Sequence, residues 1–376
     1  QHYRNLSGFA EKLGVSIALL TGSLPAKTRA AIQARIESGE IAFVIGTHAL
    51  VQEGVRAPRM GLGIIDEQHR FGVMQRMALT KLPAERGAPA AAPPEPDILL
   101  MSATPIPRSL AMVLYGDVEI SYLDEMPPGR TPVETKIIRQ SQRAKLYQLV
   151  RDEVLKGRQA YIVYPLVESS EKLDVRDATG MAEELSEGAF KDFRVGLVHG
   201  RMAAEERDEV MRRFKDGEVE ILVATTVIEV GIDVPNATVM VVEHAERFGL
   251  SQLHQLRGRV GRGAHRSHCL LVHYGGDGAD ALERLRVMER EHDGFKIAEA
   301  DLKLRGPGEL IGTRQSGLAD FRLANLARDA RLLLAAREEA LDWLEKDPGL
   351  ARPESRALKA VLKHRWGGRL ELGRIG

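Results

Sequence analysis

Short apolar runs alternate along the chain with longer stretches whose apolar positions recur at helical spacing. Val15 to Leu20, Ala42 to Thr47, Leu62 to Asp66 and Ile98 to Ser102 are apolar runs ending in small or polar residues. Continuous apolar character over so few residues predicts strands buried on both faces, as in a parallel sheet. Between them, Ala26 to Glu37 predicts a helix stopped by Gly39. A second series starts near Pro132. Its expected strands are Val133 to Ile138, Ala160 to Tyr164, Val195 to Val198, Ile221 to Ala224, Val239 to Val242 and Cys269 to Val272. Helices are expected at Arg143 to Leu155 and Ala203 to Phe214. Two consecutive βα series predict an α/β protein with two doubly wound parallel-sheet domains and sites at the carboxyl ends of the strands.

The pattern divides the chain into 1–126, 127–275 and 276–376. The Pro- and Ala-rich stretch 83–96 cannot bury a core and is expected to be a solvated insertion in the first domain. After Tyr274 the strand pattern stops. Ala279 to Glu291 and much of Ala324 to Leu344 read as helices of a small appendage, followed by a basic tail.

Composition changes this picture little. The chain has 376 residues, 44% of them hydrophobic, enough for two cores. Lys and Arg total 53 against 53 Asp and Glu, so a surface for a polyanion must be a local patch. The single Cys269 excludes an intrachain disulfide framework and a thiolate metal cage, and suits a reducing cytosol. No apolar run approaches the ~20 residues that span a bilayer, so no membrane partner is expected. The chain opens at Gln1 without a charged-then-apolar leader and is expected to be cut from something longer.

Four segments carry candidate chemistry. Ile64-Ile65-Asp66-Glu67-Gln68-His69 delivers two adjacent acids at the end of a strand, the geometry with which a nucleotide hydrolase holds Mg2+ and activates water. A surface acidic turn fits the same residues. Met101-Ser102-Ala103-Thr104 closes another strand with two hydroxyls, which equally suit a helix cap. Ala224-Thr225-Thr226 runs into a segment ending Gly231-Ile232-Asp233. Then Gln252 to Gly263 sets Arg259 and Arg262 beside glycines, with Gln255 just before them. Arginines at that spacing can project from one helix face toward a triphosphate, and guanidinium groups suit transferred phosphoryl charge. Taken singly, they read as a solvated basic face.

In this order and spacing the four segments resemble motifs II, III, V and VI of superfamily 2 helicases. The resemblance implies two RecA-like motor domains that use ATP and Mg2+. By it Asp66 is the Mg2+ acid (through water), Glu67 the water-activating acid, and Arg259 and Arg262 the phosphate-sensing pair. It brings Gly231, Asp233 and Gln255 to the nucleotide, and makes Gln68, His69, Ser102 and Thr104 couple hydrolysis to domain movement. The implied DNA track comprises Gly22, Gly46, Thr47, His48, Thr225 and Thr226, where small residues and hydroxyls let backbone amides reach phosphates. Each of these also fits ordinary turn chemistry.

Asp301 to Gly317, with its Arg-Gly-Pro-Gly and Gly-Thr-Arg-Gln-Ser-Gly wording, is similar to the translocation motif of RecG-type helicases. A transcription-repair coupling factor carries a variant of it, from which the wording here departs. Arg305, Arg314 and Gln315 carry over as its polar residues. The resemblance implies a helical hairpin and loop that step along double-stranded DNA and remodel branched substrates such as stalled forks and Holliday junctions. It also implies a monomeric protein of the bacterial cytoplasm and nucleoid, with replication-fork proteins as further partners.

Against this stands one departure. No stretch fits the phosphate loop G-x-x-x-x-G-K-[ST]. Thr21-Gly22-Ser23-Leu24-Pro25-Ala26-Lys27-Thr28 comes nearest, but Thr21 and Ala26 stand where both glycines belong, and Lys27 reads as a solvated first-turn residue. The chain alone is therefore expected to hydrolyse ATP negligibly, and a non-catalytic DNA-binding fragment is the competing reading. A metal hydrolase built on His69, His199, His265, His268 and His273 is disfavoured, because nothing gives ligand spacing.

Overall fold

The computed structural model describes residues 2–51, 55–67, 96–105, 107, 119–125, 131–165, 171–225, 233–275, 278–305 and 329–366. The insertion expected at 83–96 lies outside them except for Pro96. The chain divides into two compact units, 1–103 with 361–376, and 104–360.

The first unit runs α1 (His2–Leu13), β1 (Ile17–Leu20), α2 (Ala26–Glu37), β2 (Phe43–Gly46), β3 (Leu62–Ile65) and β4 (Asp97–Leu100). β1 pairs with β2, and β3 with β4, both parallel. A small core of Ala18, Leu20, Ile36, Ile41 and Val55 holds the first pair to α2. The expectation of strands buried on both faces is corrected here. In β3, Leu62 and Ile64 are exposed while Gly63 and Ile65 are buried, and Phe43 of β2 is exposed. Successive residues of a strand point to opposite faces. In β3, therefore, one face is buried and the other, carrying Leu62 and Ile64, is exposed.

The second unit contains β5 (Glu134–Arg139), α3 (Arg143–Leu155), β6 (Gln159–Tyr164), α4 (Glu171–Glu187), β7 (Val195–Val198), α5 (Ala204–Lys215), β8 (Ile221–Thr225), β9 (Ala237–Val242), α6 (Leu250–Arg257) and β10 (His268–His273). Helices α7 (Gly278–Arg290), α8 (Gly294–Arg305) and α9 (Ala330–Lys346) follow, and α10 (Arg356–Trp366) crosses the division between the units at 360/361. Six parallel strands lie in the order β5-β10-β9-β6-β8-β7. β6 and β9 are buried at every position, as a near-continuous apolar run in a parallel sheet requires.

Alternate residues feed two cores. Tyr161, Val163, Met240 and Val242 pack with Phe214 of α5, Leu253 of α6 and Leu285 of α7. Ala160, Ile162, Val239 and Val241 pack with Val150 of α3 and Leu185 of α4 on the other face. The result is the three-layer arrangement expected of a doubly wound sheet. At the edge strand β5, the Ile137 N–H donates to Glu289 Oε1 of α7 at 3.1 Å, so a side chain occupies a ladder donor that another strand would otherwise pair. No helix among the described residues is long and apolar enough to cross a membrane.

Candidate functional site

In the first unit, β3 hands the chain directly to Asp66 and Glu67. Glu67 has φ 53°, left-handed backbone for a non-glycine residue, which costs roughly 1–2 kcal/mol and clusters at functional sites. Its N–H donates to Asp66 Oδ1 at 2.9 Å, and Asp66 Oδ2 lies 3.0 Å from His2 Nε2. The register pairs Ile65 with Leu100, and the Met101 N–H donates to Ile65 O at 2.8 Å, which brings Ser102 to the same rim as the acids. Thr104 opens the second unit.

The Asp66 side chain is 40% exposed. Among the described residues no three His, Cys, Asp or Glu gather into a metal cage. A single accessible carboxylate suits Mg2+, which keeps several waters and takes one or two carboxylates with substrate phosphates.

The pairing of Leu20 with Gly46 sets the turns after β1 and β2 side by side. Gly22 is open to solvent, whereas a Cβ on Gly46 would fall 2.2 Å from Leu20 O, so only glycine fits. Thr47 O accepts from the Leu50 N–H at 3.0 Å, closing the short turn that His48 begins. Lys27 is exposed in the first turn of α2, as the sequence predicts.

In the second unit, Thr225 is the last residue of β8. It is 1% exposed, and its Oγ1 has no hydrogen-bond partner among the described residues. The expectation that the arginines share a helix face is corrected: α6 ends at Arg257, and Arg259 and Arg262 lie beyond it. Gly258 caps the helix, and Gly261 beyond it adopts φ 75°, where a Cβ would fall 2.7 Å from Val133 Cγ2.

The arginines of this run have different surroundings. Arg257 is buried, and its guanidinium donates to Met288 O (3.0 Å), Glu291 O (2.8 Å) and His292 O (3.4 Å) at the end of α7. Arg262 is exposed. Its Nε donates to Gly258 O at 3.0 Å and its Nη1 to Asp233 Oδ1 at 3.2 Å. Gln255 is half-buried on α6.

Tyr161 of β6 escaped the sequence reading. Burial holds its hydroxyl above the ordinary phenol range, with the charges of Arg259 and Arg262 opposing and that of Asp233 adding to the shift. The available signal was a hydroxyl-bearing ring at a buried position of the strand. His268, one of the histidines weighed as metal ligands, is paired with Glu134 at 3.1 Å.

Gln68, His69, Thr226, Gly231, Arg314 and Gln315 lie outside the described residues. Arg305 closes α8, and its side chain lies outside the described atoms.

Comparison with known proteins bears on the whole arrangement. Residues 1–113 match the DEAD/DEAH box helicase family, 141–264 the helicase conserved C-terminal domain, and 291–370 domain 3, C-terminal, of the ATP-dependent DNA helicase RecG. The chain is 50% identical over 364 residues to an ATP-dependent DNA helicase RecG of Synechocystis sp., covering 97% of this chain and 42% of that protein. It is 52% identical to the RecG of Thermotoga maritima over 339 residues, covering 90% of this chain and 42% of that protein. A solved structure of RecG bound to a three-way DNA junction matches 89% of this chain and 41% of its own, with 48% identity and a TM-score of 0.65. The chain thus spans about half the length, or less, of these curated relatives. The chain belongs to the RecG-type family of ATP-dependent DNA helicases, whose C-terminal portion it matches.

Proposed function

We propose that the chain is the greater part of an ATP-driven motor that translocates on double-stranded DNA and remodels branched substrates such as stalled forks and Holliday junctions in recombination and repair. What supports the reading is the 48% identity to RecG bound to a three-way junction, along 89% of the chain, together with acids and hydroxyls standing at the ends of parallel strands. In this reading Asp66 holds Mg2+ through water, and Glu67 orients and deprotonates the attacking water. Mg2+, when bound, neutralises charge on the phosphates. Arg259 and Arg262 stabilise the transferred phosphoryl charge, with Asp233 fixing the Arg262 fork. Gln68, His69, Ser102, Thr104, Gly231 and Gln255 couple the nucleotide state to movement.

Gly22, Gly46, Thr47, His48, Thr225 and Thr226 meet backbone phosphates. Arg305, Arg314 and Gln315, in the appendage 276–376, turn hydrolysis into a step. Binding is salt-sensitive and tolerant of sequence, since phosphates carry the affinity.

The sequence holds no G-x-x-x-x-G-K-[ST] loop, which favours a second reading of the chain as it stands: a fragment that binds DNA without turnover. The test compares DNA-stimulated ATP hydrolysis by this chain with that of a chimera in which it follows the upstream half of the Thermotoga maritima relative. Turnover by the chimera alone is the expected result. Inertness of both with every branched DNA would overturn the motor reading, and comparable activity in both would reveal a phosphate site elsewhere in the chain.

A further inference from the structure

The Asp66 carboxylate is held at both of its oxygens. The Glu67 N–H serves Oδ1 at 2.9 Å, from a residue whose backbone is left-handed at φ 53°. Oδ2 lies 3.0 Å from Nε2 of His2, 64 residues earlier in the chain. An ionised carboxylate only accepts hydrogen bonds, so the imidazole donates from Nε2. His2 is the first residue of α1, whose other end is tied to β1. There Ala10 is buried, and its carbonyl accepts from the Val15 N–H at 2.9 Å as the chain turns into the strand. One end of α1 is thus fixed beside β1, and the other reaches the acid that follows β3.

Stability does not account for the contact with His2. The two side chains are 64% and 40% exposed, and pairs so exposed contribute little to a fold. What the contact removes is the rotational freedom of one carboxylate. A carboxylate offers about four lone-pair positions. Glu67 and His2 take one on each oxygen, which leaves the others for the water shell that a bound Mg2+ keeps. An imidazole can donate without a permanent charge, whereas Lys or Arg in its place would compete with a cation for the same carboxylate. Groups that hold a metal's carboxylates by hydrogen bonds typically contribute about 10–100-fold to metal affinity.

We propose that His2 is a positioning residue for the Mg2+ acid: by holding Oδ2 it fixes the plane of the Asp66 carboxylate, so that the free lone pairs face the hydrated cation. This rests on the reading of Asp66 as the acid that holds Mg2+. The strained backbone at Glu67 then has a part in the same clamp, because the N–H that it turns toward Oδ1 holds the other oxygen.

The test uses the chimera with the upstream half of the Thermotoga maritima relative, saturated with a non-hydrolysable ATP analogue. Mn2+ stands in for Mg2+, its Kd read by electron paramagnetic resonance, and thermal unfolding is followed by circular dichroism. His2→Ala should raise the Mn2+ Kd about tenfold and leave the unfolding midpoint within a few degrees of the parent. With ATP itself, the Mg2+ concentration for half-maximal hydrolysis should rise likewise, and turnover should recover at saturating Mg2+. His2→Gln keeps a donor without a permanent charge and should restore most of the affinity. Asp66→Asn serves as the reference for loss of the acid itself. Parent-like Mn2+ affinity in His2→Ala, with weakened binding by Asp66→Asn, would overturn the positioning inference alone. Parent-like affinity in both variants, or no Mn2+ binding by the unaltered chimera, would remove the reading of Asp66 and the inference with it. A loss in His2→Ala that Gln does not restore, or one that comes with a lowered unfolding midpoint, would also overturn it, marking His2 as part of the fold.

Discussion

Replacing Arg257 by Met separates an arginine that builds the fold from its chemical neighbours in the same run. Arg257 is 5% exposed and caps the carbonyl end of α7, where helix carbonyls lack partners of their own. Hydrogen bonds to a charged group contribute about 1.5–3 kcal/mol each. The two short ones, to Met288 O and Glu291 O at 3.0 and 2.8 Å, set the scale; the 3.4 Å contact to His292 O adds little. Part of this is offset, because burial pulls the Arg257 guanidinium below its ordinary pKa, and Met would relieve that desolvation. The net loss expected for Arg257→Met is about 2–4 kcal/mol. For a body of this size that lowers Tm by roughly 5–15 °C. The assay is urea and thermal unfolding followed by circular dichroism, with Arg257→Lys beside it. A lysine cannot reproduce the planar fork that serves several carbonyls and should restore less than half of the loss. A loss below about 1 kcal/mol, or full rescue by Lys, would refute the assignment of Arg257 to the α7 cap.

Other perturbations follow from the same geometry. Gly46→Ala would drive a Cβ to 2.2 Å from Leu20 O and should destabilise the first unit by about 1–3 kcal/mol in urea unfolding; an unchanged midpoint would contradict the close approach. Arg262→Met removes a pair whose side chains are 33% and 48% exposed, so stability should change by about 0–1 kcal/mol. In the chimera, the same change should abolish turnover, leaving junction affinity within about twofold. Loss of turnover and affinity together would indicate a folding or DNA-contact role instead.

Acidification should destabilise the second unit. Burial lowers the His268 pKa, with Glu134 opposing, and the Lys136 hydrogen bond lowers that of Glu134. For both groups the unfolded chain binds more protons, so the stability they contribute is present at neutral pH. It is lost as pH falls, starting below about 6.5 for His268 and continuing through the carboxylate range for Glu134. His268→Gln should flatten the upper part of the unfolding profile, and an unchanged profile would count against the His268 contribution.

Much of the fold is legible along the chain because strand and helix periodicities are local. The apolar runs of β6 and β9 announce strands buried on both faces, and Arg143–Leu155 and Ala26–Glu37 announce their helices to the residue. The two acids after Ile65 were legible for the same reason, since they follow their strand directly. Exposure in β3 was not, because an apolar run does not say whether a second layer covers it. Nor could the run from Arg257 to Arg262 disclose that α6 stops at Arg257, leaving one arginine in a helix cap and another on Asp233. Glu243 accepts from Arg143 Nε at 3.2 Å and from the Tyr274 hydroxyl at 2.8 Å, although Arg143 lies 100 residues before it in sequence and Tyr274 31 residues beyond it. Sequence determined which segments become strands and which chemical groups end them. Only the tertiary structure decided which charges meet, because a charge finds its partner across strands whose order in the sheet differs from their order in the chain.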